Sequence, residues 1–253
     1  MSKVYEALEH AQRESKKDLP QKDSQGFEEP SRLPELVKIP RKGGKPGIEN
    51  AMVALYHSIE SLLPDTRNKV IQFLASREGE GTSTIVSQFS SACVRRLGKS
   101  VLIVDADWVD PTQHLFFDIK PESSLEQVIR AGGPIDEAFC QVGNSGLVLT
   151  LISQDSAAVS RIFNSPKIEQ LWDRLRKQFD LILIDSPPVN SSADVLAICR
   201  KVDGVVLVVE AEKTRLPVVE NVKERIMKQG GNLLGIVLNK RRYYIPEVVY
   251  RRL

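Results

Sequence analysis

Val70-Ile71-Gln72-Phe73-Leu74-Ala75-Ser76-Arg77-Glu78-Gly79-Glu80-Gly81-Thr82-Ser83-Thr84 is the stretch that decides how this chain folds. Its opening run, Val70 to Leu74, reads as a buried strand. Gly79 and Gly81 then break the pattern, and from Thr84 to Leu97 apolar residues recur at helical spacing. Two glycines between a strand and a helix let the backbone turn tightly, so that successive N–H groups face one point. The helix that follows turns its positive end the same way. A complete phosphate-cradling loop carries lysine before the Ser/Thr. Here Thr82 stands in that place, followed by Ser83 and Thr84. A purely structural turn would look much the same, so the loop needs support from elsewhere in the chain.

Further strands are expected at Val101–Val104, Leu147–Ile152, Leu181–Ile184, Val205–Val209 and Leu233–Leu238. Several are unbroken Val/Ile/Leu runs, the pattern of strands covered on both faces. Helical patterns separate most of them: Ser124 to Ala131, Lys167 to Phe179, Ser192 to Lys201 and Pro217 to Gln229. Such alternation predicts an α/β fold with a mostly parallel, doubly wound sheet flanked by helices. Ligands in such sheets bind beyond the carboxyl ends of the strands.

Before this domain, residues 1–16 read as a short N-terminal helix carrying Val4, Leu8 and Ala11. Residues 17–46 contain five prolines and read as a flexible linker. The globular domain is expected over 47–253, opening with an amphipathic helix through Ala51, Leu55 and Ile59 that stops at Pro64. With 253 residues, 27% charged and a formal net charge of +2, the chain has no strong global field. No run approaches the roughly 18 apolar residues of a membrane span, and no apolar leader is visible, so a cytoplasmic location is expected. Cys93, Cys140 and Cys199 are scattered and read as reduced core thiols. His10, His57 and His114 form no catalytic pattern. Trp108 reads either as a cover for the loop's ligand or as ordinary packing.

Two further strands end in carboxylates. Val101-Leu102-Ile103-Val104 runs into Asp105-Ala106-Asp107, and Leu181-Ile182-Leu183-Ile184 runs into Asp185-Ser186-Pro187-Pro188. Each aspartate alone could merely start a turn. Together with the glycine loop, Asp105, Asp107 and Asp185 suit a nucleotide site in which Ser83, Asp107 and Asp185 arrange Mg²⁺. Gly79, Glu80, Gly81, Thr82, Ser83 and Thr84 would contact the phosphates of ATP or ADP.

The motif set resembles the bacterial protein-tyrosine autokinases of the capsule and exopolysaccharide type, a branch of the P-loop ATPases that includes the partitioning and septum-site ATPases. The resemblance rests on Gly79-Glu80-Gly81 before Ser83, Asp105-Ala106-Asp107 and Ile184-Asp185-Ser186-Pro187-Pro188-Val189. Asp203-Gly204-Val205-Val206-Leu207-Val208-Val209, Thr214-Arg215 and Gly235-Ile236-Val237-Leu238-Asn239-Lys240 extend it. It covers residues 47–253, and the N-terminal Met-Ser-Lys-Val-Tyr-Glu-Ala-Leu-Glu resembles forms associated with exosortase loci. The resemblance implies that Asn239 reads the adenine and that Asp105 helps to activate an acceptor hydroxyl. It also implies phosphorylation candidates in the tail, Tyr243, Tyr244 and Tyr250, while the residues themselves read more readily as a tail that packs back on the domain through Tyr244, Ile245, Val248 and Val249. The implied setting is exopolysaccharide assembly beside the inner membrane, through a polysaccharide co-polymerase or export protein, with homo-oligomers among the expectations. Specific nucleic-acid recognition has no motif.

Three departures from the resemblance stand out. Thr82 replaces the loop lysine and brings no charge. Asp110 adds negative charge where a polyanion is expected. Val53 and Tyr56 fall where the family's ring-forming helix carries arginines. These changes lead to the expectation of a catalytically weakened protein that regulates chain length or assembly. An active autokinase and a partitioning-type ATPase are the alternatives. Arg77, five positions before Thr82, is the nearest residue in sequence that could restore the lost charge.

Overall fold

The computed structural model describes residues 37–40, 45–153, 155–192 and 194–241. The expected N-terminal helix and the tyrosines Tyr243, Tyr244 and Tyr250 lie outside the described residues.

The expected mostly parallel sheet is present, with eight strands among the described residues. In chain order the strands are β1 (Val37–Pro40), β2 (Lys69–Ala75), β3 (Val101–Asp105), β4 (Cys140–Gln141), β5 (Leu147–Leu151), β6 (Leu181–Asp185), β7 (Gly204–Glu210) and β8 (Leu233–Arg241). They lie side by side in the order β1-β8-β7-β2-β6-β3-β5-β4, and only the β4–β5 pair is antiparallel. Among the described residues eight α-helices connect them: α1 (Lys45–Leu62), α2 (Thr82–Leu97), α3 (Gln113–Phe116), α4 (Leu125–Ala131), α5 (Ser156–Asn164), α6 (Ile168–Leu175), α7 (Val195–Cys199) and α8 (Leu216–Lys228). Part of the stretch expected to be linker, Val37–Pro40, is instead an edge strand paired with β8, and α1 starts at Lys45. Besides β1, the elements without a counterpart in the sequence reading are the two-residue β4, the short helix α3, the 3-10 turn Ile135–Ala138 and the helix α5.

Residue alternation explains how one sheet builds two cores. On β2, Val70 and Leu74 face one side while Ile71 and Phe73 face the other. On β3 and β6 the same alternation sends Leu102, Val104, Ile182 and Ile184 one way and Val101, Ile103, Leu181 and Leu183 the other. The first face is covered by α4 to α8 through residues such as Phe163, Trp172, Val195 and Ile226. The second is covered by α1 and α2 through Met52, Leu55, Ile59, Ile85 and Phe89. Each such fully buried side chain stabilises the fold by roughly 1.5–3 kcal/mol before entropy is counted. Trp108 joins the first core and does not line the loop cleft described below.

The strand order places the glycine loop at the point where the winding of the sheet reverses. The chain leaves β2, crosses to β3, and later returns to insert β6 between them before β7 pairs on the other side of β2. The carboxyl ends of β2, β3 and β6 therefore lie next to one another.

Candidate functional site

The loop between β2 and α2 is held from behind by one buried carboxylate. Glu80 Oε2 accepts hydrogen bonds from the Ser76 N–H (2.7 Å), the Ser76 hydroxyl (2.8 Å) and the Arg77 N–H (2.9 Å). Its other oxygen accepts from the Glu210 N–H (3.3 Å) and the Thr214 hydroxyl. One side chain thus fastens both ends of the turn and ties them to the end of β7. From β8, Asn239 Nδ2 donates to the Glu80 carbonyl at 2.9 Å, and the Lys240 ammonium donates to the Gly79 carbonyl. Gly81 must be glycine here for two reasons. Its φ of 94° is left-handed, and a methyl group at this position would run into Asn239 Nδ2. With Gly81 as its N-cap, helix α2 starts without a side-chain cap, so its first N–H groups remain free to meet an anion.

Asp105 and Asp185 face each other in register on β3 and β6, and both are buried. Gln113, at the start of α3, links them to the loop. Its N–H donates to Asp105 Oδ2 (3.0 Å), and its side-chain amide donates to both Asp185 Oδ2 (2.7 Å) and the Ser83 carbonyl (2.9 Å). Ser83, Asp105 and Asp185, three positions spread over a hundred residues, therefore share one hydrogen-bonded network. Asp185 Oδ1 and Gln113 Oε1 remain buried without a partner. Burial pushes the Asp185 carboxyl up to about 7, with nearby Asp107 adding to the rise and the Gln113 and Ser83 side chains opposing it. Asp105 is raised well above the carboxylate range by burial and by the charge of Asp185, against the Gln113 and Asp107 N–H bonds. Asp107 is raised by burial too, although the Asp110 and Val109 N–H groups bind it. The charges of Asp110 and Glu78 add to the rise.

A cleft of about 280 Å³ opens in front of the loop. Gly79, Glu80, Gly81, Thr82, Ser83 and Thr84 all line it, joined by Asp107, Asp110 and Ser186. Asp105 instead lines a neighbouring hollow of about 280 Å³ with Pro111, Glu122, Ser124 and Glu126. Asn239 is not on the cleft wall, because its amide is committed to the Glu80 carbonyl on one side and the Lys240 N–H (2.8 Å) on the other. Glu80 likewise turns its carboxylate inward, leaving only its backbone to the cleft. The sequence reading missed Gln113 altogether. Its only sequence signal is its position a few residues beyond the Asp105-Ala106-Asp107 strand end. Gln72 was also missed; its amide donates to the Ser186 hydroxyl (3.0 Å) and the Val195 carbonyl (3.1 Å), steadying the turn after β6.

The family model of the ParA group, described as NUBPL iron-transfer P-loop NTPase, matches residues 66–251. The chain belongs to the ParA family of P-loop NTPases. CapB of Staphylococcus aureus, provisionally named a tyrosine-protein kinase, is 28% identical over 180 residues, covering 71% of this chain and 79% of CapB. Among solved structures, the chimerical protein CapA2B2 superposes with a TM-score of 0.71 at 25% identity, covering 83% of this chain and 96% of that one. The kinase domain of the Escherichia coli tyrosine kinase ETK superposes with a TM-score of 0.73 at 19% identity, covering 87% and 99%. The curated relatives are bacterial tyrosine-protein kinases, in line with the resemblance read from the motifs.

The residues of this ParA-type site fit a Mg²⁺-nucleotide in shape. The loop is closed around open helix N–H groups, and Asp185 Oδ1 waits without a partner beside it. Among the described residues no three Asp, Glu, His or Cys side chains converge as a self-sufficient metal site. A cation would therefore rely on phosphate oxygens and water for the rest of its shell, the usual habit of Mg²⁺. In charge the fit is poorer, since Thr82 supplies none where the loop's lysine would stand.

Proposed function

We propose that this chain is a tyrosine-autokinase-like P-loop protein of exopolysaccharide biosynthesis or export, weakened as a catalyst by Thr82. It would act in the cytoplasm beside the inner membrane, through a polysaccharide co-polymerase or export protein, to regulate chain length or assembly. The observation that carries this reading is the Gln113 network, which joins the phosphate loop to both buried aspartates at one edge of the sheet. The tyrosine-kinase relatives support the chemistry assigned to it. Membership in a group of NTPases supports a nucleotide in the cleft.

In this reading the N–H groups of residues 79–84 hold the phosphates, while the Ser83 hydroxyl, Asp107 and Asp185 surround Mg²⁺. Bound Mg²⁺-ATP would supply a transferable phosphoryl group and a divalent charge to balance it. Asp105 faces the separate hollow beside Pro111 and Glu122, and there it would orient the hydroxyl of an approaching tyrosine. Tyr243, Tyr244 and Tyr250 are the acceptors proposed from within the family's own pattern. Asn239 is proposed as the adenine reader only after its amide has left Glu80. Loss of one charged contact to a developing phosphoryl charge typically costs about 10²–10³ in rate, so slow turnover is expected.

Incubation of the purified full chain with Mg²⁺-ATP, followed by anti-phosphotyrosine blotting, tests this reading. Weak phosphorylation that rises in Thr82→Lys and vanishes in Asp185→Asn is the expected result. Phosphorylation by the natural chain that Thr82→Lys does not increase would favour a fully active autokinase. No phosphorylation in either form, together with no nucleotide binding by calorimetry, would remove the kinase-like reading.

A further inference from the structure

Gln113 belongs to neither the phosphate loop nor a strand end, yet it is fully buried where they meet. It donates three hydrogen bonds to three separate parts of the chain. Its N–H reaches Asp105 Oδ2 at the end of β3 (3.0 Å). Its Nε2 reaches Asp185 Oδ2 at the end of β6 (2.7 Å) and the Ser83 carbonyl in α2 (2.9 Å). The amide can point only one way. Turned over, its oxygen would face a carbonyl and an ionised carboxylate, and neither donates. Asp105 is completed by protein donors, since its Oδ1 accepts the Asp107 N–H at 3.3 Å. Asp185 is left incomplete: its Oδ1 is buried without a partner, and so is Gln113 Oε1. These two oxygens belong to side chains already joined to each other, and a buried acceptor with no donor is an unmet demand. A hydrated divalent cation answers it twice, with its charge and with the hydrogens of its water shell.

We propose that Gln113 is a positioning residue for the cation of this site, holding Asp185 Oδ2 against the loop so that Oδ1 is the oxygen offered to the metal. The inference rests on the nucleotide-site reading above and deepens it, by naming the residue that prepares the acid for the ion. Gln113 acts through Asp185 and Ser83 and needs no contact with the phosphates. Its amide is neutral, which suits a position between two acids that face each other in register. A lysine there would neutralise Asp185 itself and compete with the ion. A glutamate would add a third negative charge and lose the donor. An apolar residue of equal length would leave Asp185 free to turn. Partners of this kind, one step removed from the ion, typically carry about 10- to 100-fold of metal affinity.

Two calorimetric titrations of the full chain test the assignment: ADP added in the presence of chelator, and Mg²⁺ added to the ADP-saturated chain. Gln113→Met keeps the length of the side chain and removes its donor. It is expected to weaken Mg²⁺ binding by about 10- to 100-fold. Metal-free ADP binding should change by less than about 2-fold, because the loop N–H groups that hold the phosphates are untouched. Both titrations are run also in the Thr82→Lys background, where the restored charge tightens ADP. A merely structural glutamine would weaken ADP alike with and without metal, and that result would overturn the inference. In the ¹⁵N-labelled natural chain, the Gln113 side-chain amide resonance should shift when Mg²⁺ joins bound ADP, a measurement that stands even if Gln113→Met does not fold. Equal Mg²⁺ affinity with and without Gln113→Met, or an amide resonance indifferent to Mg²⁺, would overturn the inference and leave the nucleotide site standing. Absence of ADP binding in the natural chain and in Thr82→Lys alike would take the inference and the nucleotide-site reading down together.

Discussion

The two edges of the sheet use the same residue type to opposite ends. At the amino edge, Asp203 and Asp180 precede their strands and each accepts hydrogen bonds from neighbouring strand starts or loops. Asp203, just before β7, accepts a bidentate pair from Arg176 Nη2 at 2.8 Å to each oxygen, and the Val70 N–H at 2.7 Å. Asp180, just before β6, accepts from the Ser100 N–H (2.8 Å) and hydroxyl (2.9 Å). At the carboxyl edge, Asp105 and Asp185 end their strands side by side, with one oxygen left buried and unpaired. The first edge staples four strand starts together. The second stores unfavourable charge that only a proton or an external cation relieves. Location on the sheet, not residue identity, decides whether an aspartate here serves stability or a ligand.

That contrast breaks most easily at the amino edge. Removing Asp203 leaves Arg176 Nη2 and the Val70 N–H without their acceptor, although Arg176 Nε keeps the Asn68 carbonyl, so Asp203→Ala is expected to lose about 2–4 kcal/mol in urea unfolding. A loss under about 0.5 kcal/mol would mean the staple is decorative. The opposite sign is expected at the carboxyl edge. Asp185→Asn keeps an acceptor for Gln113 and removes the charge facing Asp105, so the nucleotide-free chain should gain about 1–2 kcal/mol at pH 8. Destabilisation by this variant would show that the pair is already balanced.

The smallest effect concerns pH. Between the ordinary carboxylate range and about 7, folded Asp185 keeps a proton that the unfolded chain has released. Stability of the nucleotide-free chain should therefore fall as pH rises from 5 to 8, and Asp185→Asn should flatten that slope. At Asp180 burial works against ionisation, yet the Ser100 N–H, the Ser100 hydroxyl and Lys99 together hold the carboxyl below its usual value. Its contribution should persist at neutral pH and disappear only as pH falls through that lowered value. Denaturant midpoints from pH 3 to 8 for the natural chain, Asp185→Asn and Asp180→Asn would resolve the two opposite slopes.

Much of the fold was legible because its signals are local. The buried strands announce themselves as runs such as Leu181–Ile184 and Val205–Val209, and the Gly79–Gly81 turn marks where a helix must start. The short edge strands gave no such signal: β4 has two residues, and β1 ends in Pro40 inside a polar stretch. Helix α5 was readable in principle, from the Asp155 cap and the apolar positions Val159, Ile162 and Phe163. At the site, Asp105 and Asp185 could be picked out because each ends an aliphatic run. Gln113 could not, since its importance arises only when three strand ends meet around it. Nor could sequence show that Glu80 faces inward or that Asn239 is spent on the loop's carbonyl. Both depend on β7 and β8 passing behind a turn more than a hundred residues earlier.

The clamp on Glu80 has a consequence for how such a loop can change over generations. Its scaffold draws on Ser76, Glu210, Thr214, Asn239 and Lys240, and the side chain at position 82 has no part in it. Mutation at 82 can therefore erase a charge while the mould around it keeps its contour. A lineage built this way is free to trade chemical power for recognition and back again, one codon at a time, without having to refold.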